Sequence, residues 1–139
     1  MKISVEILVQ AAIENVWESY TSPAAIMVWN TASDDWHTTA ATVDLRVGGI
    51  FSSRMEAKDG SVGFDFSGVY TKVEKHKLID YTFGDRTAQI SFEETLHGVR
   101  LRVTFDAEKI YSEEQQREGW QAILTNFKHY VEAKKSLSN

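Results

Sequence analysis

Apolar and polar residues alternate at the start of the chain. Ile3, Val5, Ile7 and Val9 share one parity, with Lys2, Ser4, Glu6 and Gln10 on the other. A period of two predicts a strand with one buried face, broken only by Leu8. The period then lengthens. Val16, Trp17 and Tyr20 form a short helical stripe, and Ser22-Pro23 predicts an N-cap with proline at the first helical position, opening a second short helix near Ala24 to Trp29. Asn30 to Thr38 read as a loop that contains Trp36. From Thr39 the pattern is β. Turn signals fall at Gly48-Gly49, Asp59-Gly60, Lys75-His76-Lys77, Gly84-Asp85 and His97-Gly98, with runs rich in Phe, Tyr, Val, Ile and Thr between them. That spacing predicts a meander of antiparallel hairpins. Ala88, Ile90, Phe92 and Leu96 share a parity. So do Leu101, Val103 and Phe105, whose opposite face carries Arg100, Arg102, Thr104 and Asp106, so the last strand has one wet side. Val62 to Val73 is mixed: Phe64, Phe66 and Tyr70 oppose Val69, Thr71 and Val73. A bulge near Gly68, or burial on both faces, would reconcile them.

The period changes once more at Ser112. Ser112 and Gln115 have the spacing of a capping box, and Trp120, Ile123, Leu124, Phe127 and Val131 recur at helical spacing to about Lys135. Ser136 to Asn139 read as a frayed end. A lone helix with so broad an apolar stripe must lie on an apolar surface, and only the preceding strands supply one. The predicted class is α+β, a helix-grip arrangement. One strand, two short helices and about six strands build a curved antiparallel sheet around a long terminal helix, and the first strand pairs with the last. At 139 residues the chain reads as one domain spanning 1–139.

Composition narrows the function. The net charge of -5 argues against nucleic acid and against anionic membrane surfaces. No segment has the length and apolarity of a membrane span, and the N-terminus alternates where a signal peptide would be uniformly apolar. Cysteine is absent, which removes disulfide and thiolate chemistry and suits a cytoplasmic setting. Aromatic residues make up 12% of the chain, with four tryptophans, enough to line a concave site.

The order of several short pieces carries a resemblance. These are Val16-Trp17 with Tyr20-Thr21 and Pro23, Trp29, the run Asp44-Leu45-Arg46-Val47-Gly48-Gly49-Ile50-Phe51, the Asp59-Gly60 turn, Gly68-Val69-Tyr70, Leu78 to Phe83, and Gly119-Trp120 with Leu124. From about Val5 to Ala133 the chain resembles the AHSA-like family. These are proteins similar to the C-terminal domain of activators of the heat-shock ATPase, within the START-like (SRPBCC) helix-grip superfamily. The resemblance implies the topology above and adds a cavity between sheet and long helix. It implies no fixed activity, because that superfamily includes lipid and sterol carriers, hormone receptors, polyketide cyclases and chaperone activators.

The residues singled out for a ligand are Trp29, Trp36, Phe51, Phe64, Phe66, Tyr81, Phe83, Phe92, Trp120 and Leu124. Such a set fills either a solid core or an apolar pocket. Asp34-Asp35-Trp36-His37 offers carboxylates beside an imidazole, but neighbouring loop residues rarely converge on one ion, so no metal is assigned. His76, His97 and His129 are expected to be solvent-exposed. Glu93 and Glu94 point to opposite faces of a strand. Glu94 has the inward parity, relieved if it reaches water near the His97-Gly98 turn. Gly48-Gly49 reads as a sharp turn requiring positive φ. There is no nucleophile elbow and no phosphate loop, so neither catalytic residue nor cofactor is assigned. The expected function is noncatalytic binding of a small apolar or amphipathic molecule by a monomer or homodimer. The alternatives are modulation of a chaperone ATPase by protein contact, or a cyclase- or hydrolase-type enzyme using His37, Arg54, Tyr81 and Glu94.

Overall fold

The computed structural model describes residues 1–137, with side chains described through Lys134. The element order is β1 (Lys2–Val9), α1 (Ile13–Thr21), α2 (Pro23–Trp29), β2 (Trp36–Val43), β3 (Ile50–Ala57), β4 (Gly63–Glu74), β5 (Leu78–Phe83), β6 (Arg86–Thr95), β7 (Gly98–Asp106) and α3 (Glu113–Leu137). The strands form one antiparallel sheet in the order β1-β7-β6-β5-β4-β3-β2. Successive hairpins account for β2 to β7. β1 adds beside β7 in the register Ile3↔Phe105, Val5↔Val103 and Ile7↔Leu101, which joins the two one-sided faces read from the sequence. The sheet curls around α3, giving the helix-grip fold.

The predicted caps form. Ser22 accepts the Ala25 N–H at 3.4 Å with Pro23 at the start of α2. Ser112 Oγ accepts the Gln115 N–H at 3.1 Å while the Gln115 side chain accepts the Ser112 N–H at 3.1 Å, a reciprocal capping box. Of the α3 stripe, Leu124, Phe127 and Val131 are buried, whereas Trp120 and Ile123 are only partly covered. The helix continues through Ser136 and Leu137, where the sequence predicts fraying; Ser138 and Asn139 lie outside the described residues.

The polar flank of α3 covers the free edge of β1. Gln121 donates to the Glu6 carbonyl (3.2 Å), Lys128 Nζ to the Leu8 carbonyl (2.7 Å), and the Gln10 N–H donates to Glu132 Oε2 (2.8 Å). Backbone groups at a sheet edge need partners, so one helix both packs into the concave face and covers that edge. Asn126 adds a tie to the Thr31 carbonyl after α2 (2.6 Å).

Four details differ from the expectations. β2 begins at Trp36, inside the predicted loop, because Trp36↔Ala57 and His37↔Glu56 extend the β2–β3 ladder. The irregularity in β4 falls between Tyr70 and Lys72 and not near Gly68, which pairs regularly with Phe51. The extra residue, Thr71, brings Tyr70 and Val73 to the same inner face and leaves Val69 38% exposed. Leu96 is fully exposed at the β6–β7 turn in spite of its inward parity, since the pleat ends where the turn begins. His76 is half-buried rather than exposed. Its ring meets Trp17 edge-on at 5.9 Å, and its φ of 66° makes the turn into β5.

Candidate functional site

Inward parity places residues on the concave face, but two different things lie above that face. At one end α1 and α2 pack down: Trp17 meets Phe92 at 5.0 Å, Tyr20 meets Phe92 at 5.7 Å, and Trp29 meets Phe127 at 4.9 Å. Trp29 is fixed further by its indole N–H, which donates to the Ser19 carbonyl at 2.9 Å. At the other end the first turns of α3 stand off from β3, β4 and β5. They leave a hollow of about 270 Å³.

The hollow is built on one glycine. Phe51 pairs with Gly68 across β3 and β4. A Cβ at Gly68 would lie 2.6 Å from the Phe51 ring and 2.5 Å from the Thr82 carbonyl. The missing side chain therefore lets the Phe51 ring lie flat over the neighbouring strand, with Tyr81 at 4.7 Å, Tyr70 at 5.2 Å and Phe66 at 5.9 Å. The roof is Trp120, stacked on buried Phe105 at 4.3 Å with an interplanar angle of 15°. Phe66 and Phe83 approach it at 6.4 and 6.5 Å. The Gly48-Gly49 turn fixes Tyr70 through its backbone. Gly48 N–H donates to the Tyr70 carbonyl at 2.8 Å, and the Tyr70 N–H donates to the Gly49 carbonyl at 3.0 Å. Gly48 has the positive φ (84°) the sequence predicts, whereas Gly49 is required by close approach to the Asp44 carbonyl.

Of the residues singled out from the sequence, Trp29, Phe51, Phe64, Phe66, Tyr81, Trp120 and Leu124 line the hollow. Trp36, Phe83 and Phe92 do not. Phe92 lies under α1, Phe83 sits beside Phe66 with the Arg86 guanidinium over its ring at 4.4 Å, and Trp36 packs on Phe64 at 5.8 Å from outside. Phe64 belongs to the lining and is 50% exposed, so the hollow reaches solvent there. The sequence reading missed Tyr20, Asn30, Ser53, Met55 and Tyr70, which also line it. The signal for Tyr70 was present, since it shares a parity with Phe64 and Phe66.

Among the described residues the lining contains no Asp, Glu, Lys, Arg or His. Its polar groups are hydroxyls, the Asn30 amide, the indole N–H groups of Trp29 and Trp120 and the Met55 thioether. Burial pushes the phenols of Tyr20 and Tyr81 well above their ordinary value and that of Tyr70 up to about 12. All three are uncharged hydrogen-bond donors at any ordinary pH. Such a surface can hold an apolar body and orient a neutral polar group. It offers no base, no nucleophile and no counter-charge.

The residues considered for acid–base chemistry do not meet. Tyr81 faces the hollow. Arg54 lies with Glu56 (3.1 Å) and Asp65 (3.6 Å) outside the lining, and His37 pairs with Glu56 in the strand register. Glu94 is exposed next to the β6–β7 turn. In the Asp34–His37 stretch, Asp35 accepts the Ser33 hydroxyl at 2.6 Å. Among the described residues no group of three or more His, Asp or Glu side chains is placed to hold an ion. Nor is any helix there long and apolar enough to cross a membrane.

Comparison with known proteins agrees with the geometry. Residues 10–132 match the family model described as Activator of Hsp90 ATPase homolog 1-like protein. A solution NMR structure of an AHSA1-like protein from Aeromonas hydrophila is 47% identical, with a TM-score of 0.91 over 97% of this chain and 94% of that one. A solution structure from Cytophaga hutchinsonii is 48% identical, with a TM-score of 0.83 over 97% and 94% of the two chains. A crystal structure from Nitrosomonas europaea, at 21% identity, shares the fold with a TM-score of 0.86 over 98% and 97%. No match was found among curated proteins. With the family model spanning most of the chain and two close structural relatives, the chain belongs to the Activator of Hsp90 ATPase homolog 1-like family.

Proposed function

We propose that this protein binds a small, apolar or amphipathic molecule in the hollow between the sheet and α3, without transforming it. One observation carries the reading: an aromatic hollow of about 270 Å³ whose lining, among the described residues, holds no ionisable group other than tyrosine. A solid core of the same residues would leave no such space. The ligand contacts are assigned to Phe51, Phe64, Phe66, Tyr81, Trp120 and Leu124, with Trp29 closing the inner end. The setting is taken to be the cytoplasm, which the lack of cysteine suits. Native mass spectrometry of the protein purified from its host tests this. A noncovalent small-molecule adduct, lost on denaturation, is expected. A bare chain whose unfolding midpoint is unmoved by apolar and amphipathic compounds would refute it.

The family match carries a second reading, modulation of an Hsp90-type ATPase. Exposed Val28, Val47, Ile50 and Ile110 supply apolar surface for a protein contact. Turnover of the host chaperone's ATPase, measured with and without this protein, decides it, and an unchanged rate removes the idea. An enzyme of the cyclase or hydrolase type has less support, since its candidate residues do not converge.

A further inference from the structure

We propose that the hollow selects an uncharged, ring-bearing molecule whose polar group is a hydrogen-bond acceptor, a carbonyl oxygen, held by the hydroxyls of Tyr20, Tyr70 and Tyr81. This rests on the binding role proposed above and specifies the chemistry of the ligand.

Three elements bring these phenols to one space. Tyr20 comes from the last turns of α1, while Tyr70 in β4 and Tyr81 in β5 stand directly opposite each other in the strand register. All three line the hollow. Their rings are held by neighbours: Tyr20 by Trp29 (5.2 Å) and Phe127 (5.3 Å), Tyr70 and Tyr81 by Phe51. Among the described residues none of their hydroxyls makes a hydrogen bond to a protein atom. None of the three hydroxyls belongs to the fully buried atoms that lack a partner, so each is reachable by a water-sized molecule. Three donors from three elements therefore border one largely apolar space, where a ligand acceptor can meet them.

The rest of the surface sets the ligand's charge and size. With no ionisable side chain but tyrosine among the described residues of the lining, a carboxylate or ammonium would lose its hydration with no opposite charge to replace it. The nearest charges lie outside the lining: Asp44 acts on Tyr70, and Arg86 acts on Tyr81 with the opposite sign. Burial keeps the phenols protonated, so they donate and the ligand must accept. Tyrosine hydroxyls also accept, but a ligand donor would satisfy only one of the three, whereas a carbonyl oxygen has two lone pairs to share among them. A dry cavity near 150 Å³ holds benzene. Scaling to about 270 Å³ gives about ten to twelve non-hydrogen atoms, the size of two fused rings bearing one oxygen.

The test compares three matched probes by quenching of tryptophan fluorescence: α-tetralone, a bicyclic ketone; tetralin, its parent hydrocarbon; and naphthoate, an anion of similar size. The expected result is that the ketone binds about tenfold tighter than the hydrocarbon, and that naphthoate binds more weakly than either. Tyr20→Phe, Tyr70→Phe and Tyr81→Phe keep the ring and remove the donor. At least one of them lowers the ketone's preference to about threefold or less, and the triple variant abolishes it. Tetralin affinity in each variant shows that the hollow is intact. Equal binding of ketone and hydrocarbon, a preference that survives in the triple variant, or naphthoate binding as tightly as the ketone would overturn this inference while leaving a binding hollow in place. Failure of all three probes to bind would overturn the binding role itself, and this inference with it.

Discussion

Two residues outside the tyrosine group decide the shape of the site and the anchoring of the sheet. Gly68 is the first. A methyl there would strike both the Phe51 ring and the Thr82 carbonyl, and the carbonyl belongs to a paired strand that cannot withdraw. Gly68→Ala is expected to cost about 1–3 kcal/mol in urea unfolding, the range for overpacking, and to displace Phe51 from the hollow. Asp106 is the second. Lys2 Nζ at 2.7 Å, with the Thr87 N–H and hydroxyl, holds its carboxyl down to about 2. A folded-state value below the unfolded one gives stability that is complete above about pH 4 and is lost as pH falls toward 2. Asp106→Asn should remove that dependence and lower stability at neutral pH by about 1 kcal/mol. The effect is small because the carboxylate is 30% exposed. Unfolding curves between pH 2 and 7 read both effects. At this scale the sequence spoke clearly only where a residue's role was local. Gly48 needed positive φ and has it. The mixed parity around Gly68 left a nearby bulge and two-sided burial both open; the bulge lies at Thr71, and the reason for Gly68, the Phe51 ring on the next strand, is a contact across a hairpin.

The elements were legible wherever a period and a cap agreed. α3 announced itself by Ser112, Gln115 and the stripe from Trp120 to Val131, and its start forms as the spacing requires. The pairing of β1 with β7 followed from two one-sided strands that each needed a partner. What parity could not say is which part of a concave face lies under packed helices and which under open space. Phe92 and Tyr81 both point inward, yet Trp17 covers the first and the hollow lies over the second. That division depends on where α1 lands, a contact distant in sequence. Tyr20 shows the same problem from the other side. It belongs to the stripe of α1, and only the position of β4 and β5 turns it toward the site. A prediction follows for α3. Gly119 lies inside the helix, and a Cβ there would meet nothing within 4 Å. Gly119→Ala should therefore stabilise the protein by about 0.5–1 kcal/mol, the difference in helix propensity. Ser112→Ala should cost about 1 kcal/mol by removing the capping box. Thermal unfolding of the two variants gives opposite signs if α3 is built as described.

The whole molecule joins a closely packed half to a hollow half. Around Val16, Trp17, Phe92 and Phe127 the core is filled, and α1 and α2 cover it. Around Phe51, Phe66 and Trp120 the same sheet carries a space that contributes nothing to stability. Filling that space should help the fold and harm the function. Ser53 is buried and lines the hollow. Ser53→Leu is expected to raise the unfolding midpoint, by about 0.5–2 kcal/mol in stability, while weakening ligand binding at least tenfold. If the space were already filled, the same change would overpack the core and lower stability. Occupation by a ligand at about a hundred times its Kd should raise the midpoint by about 5–10 °C.

The most direct measurement follows the four indole N–H signals in a proton–nitrogen NMR spectrum while α-tetralone is added. Trp29 and Trp120 line the hollow; Trp17 and Trp36 do not. A ligand seated there should shift the Trp120 and Trp29 signals in a saturable manner and leave Trp36 in place. Four unmoved signals, or a shift confined to Trp36, would contradict a binding site beneath α3.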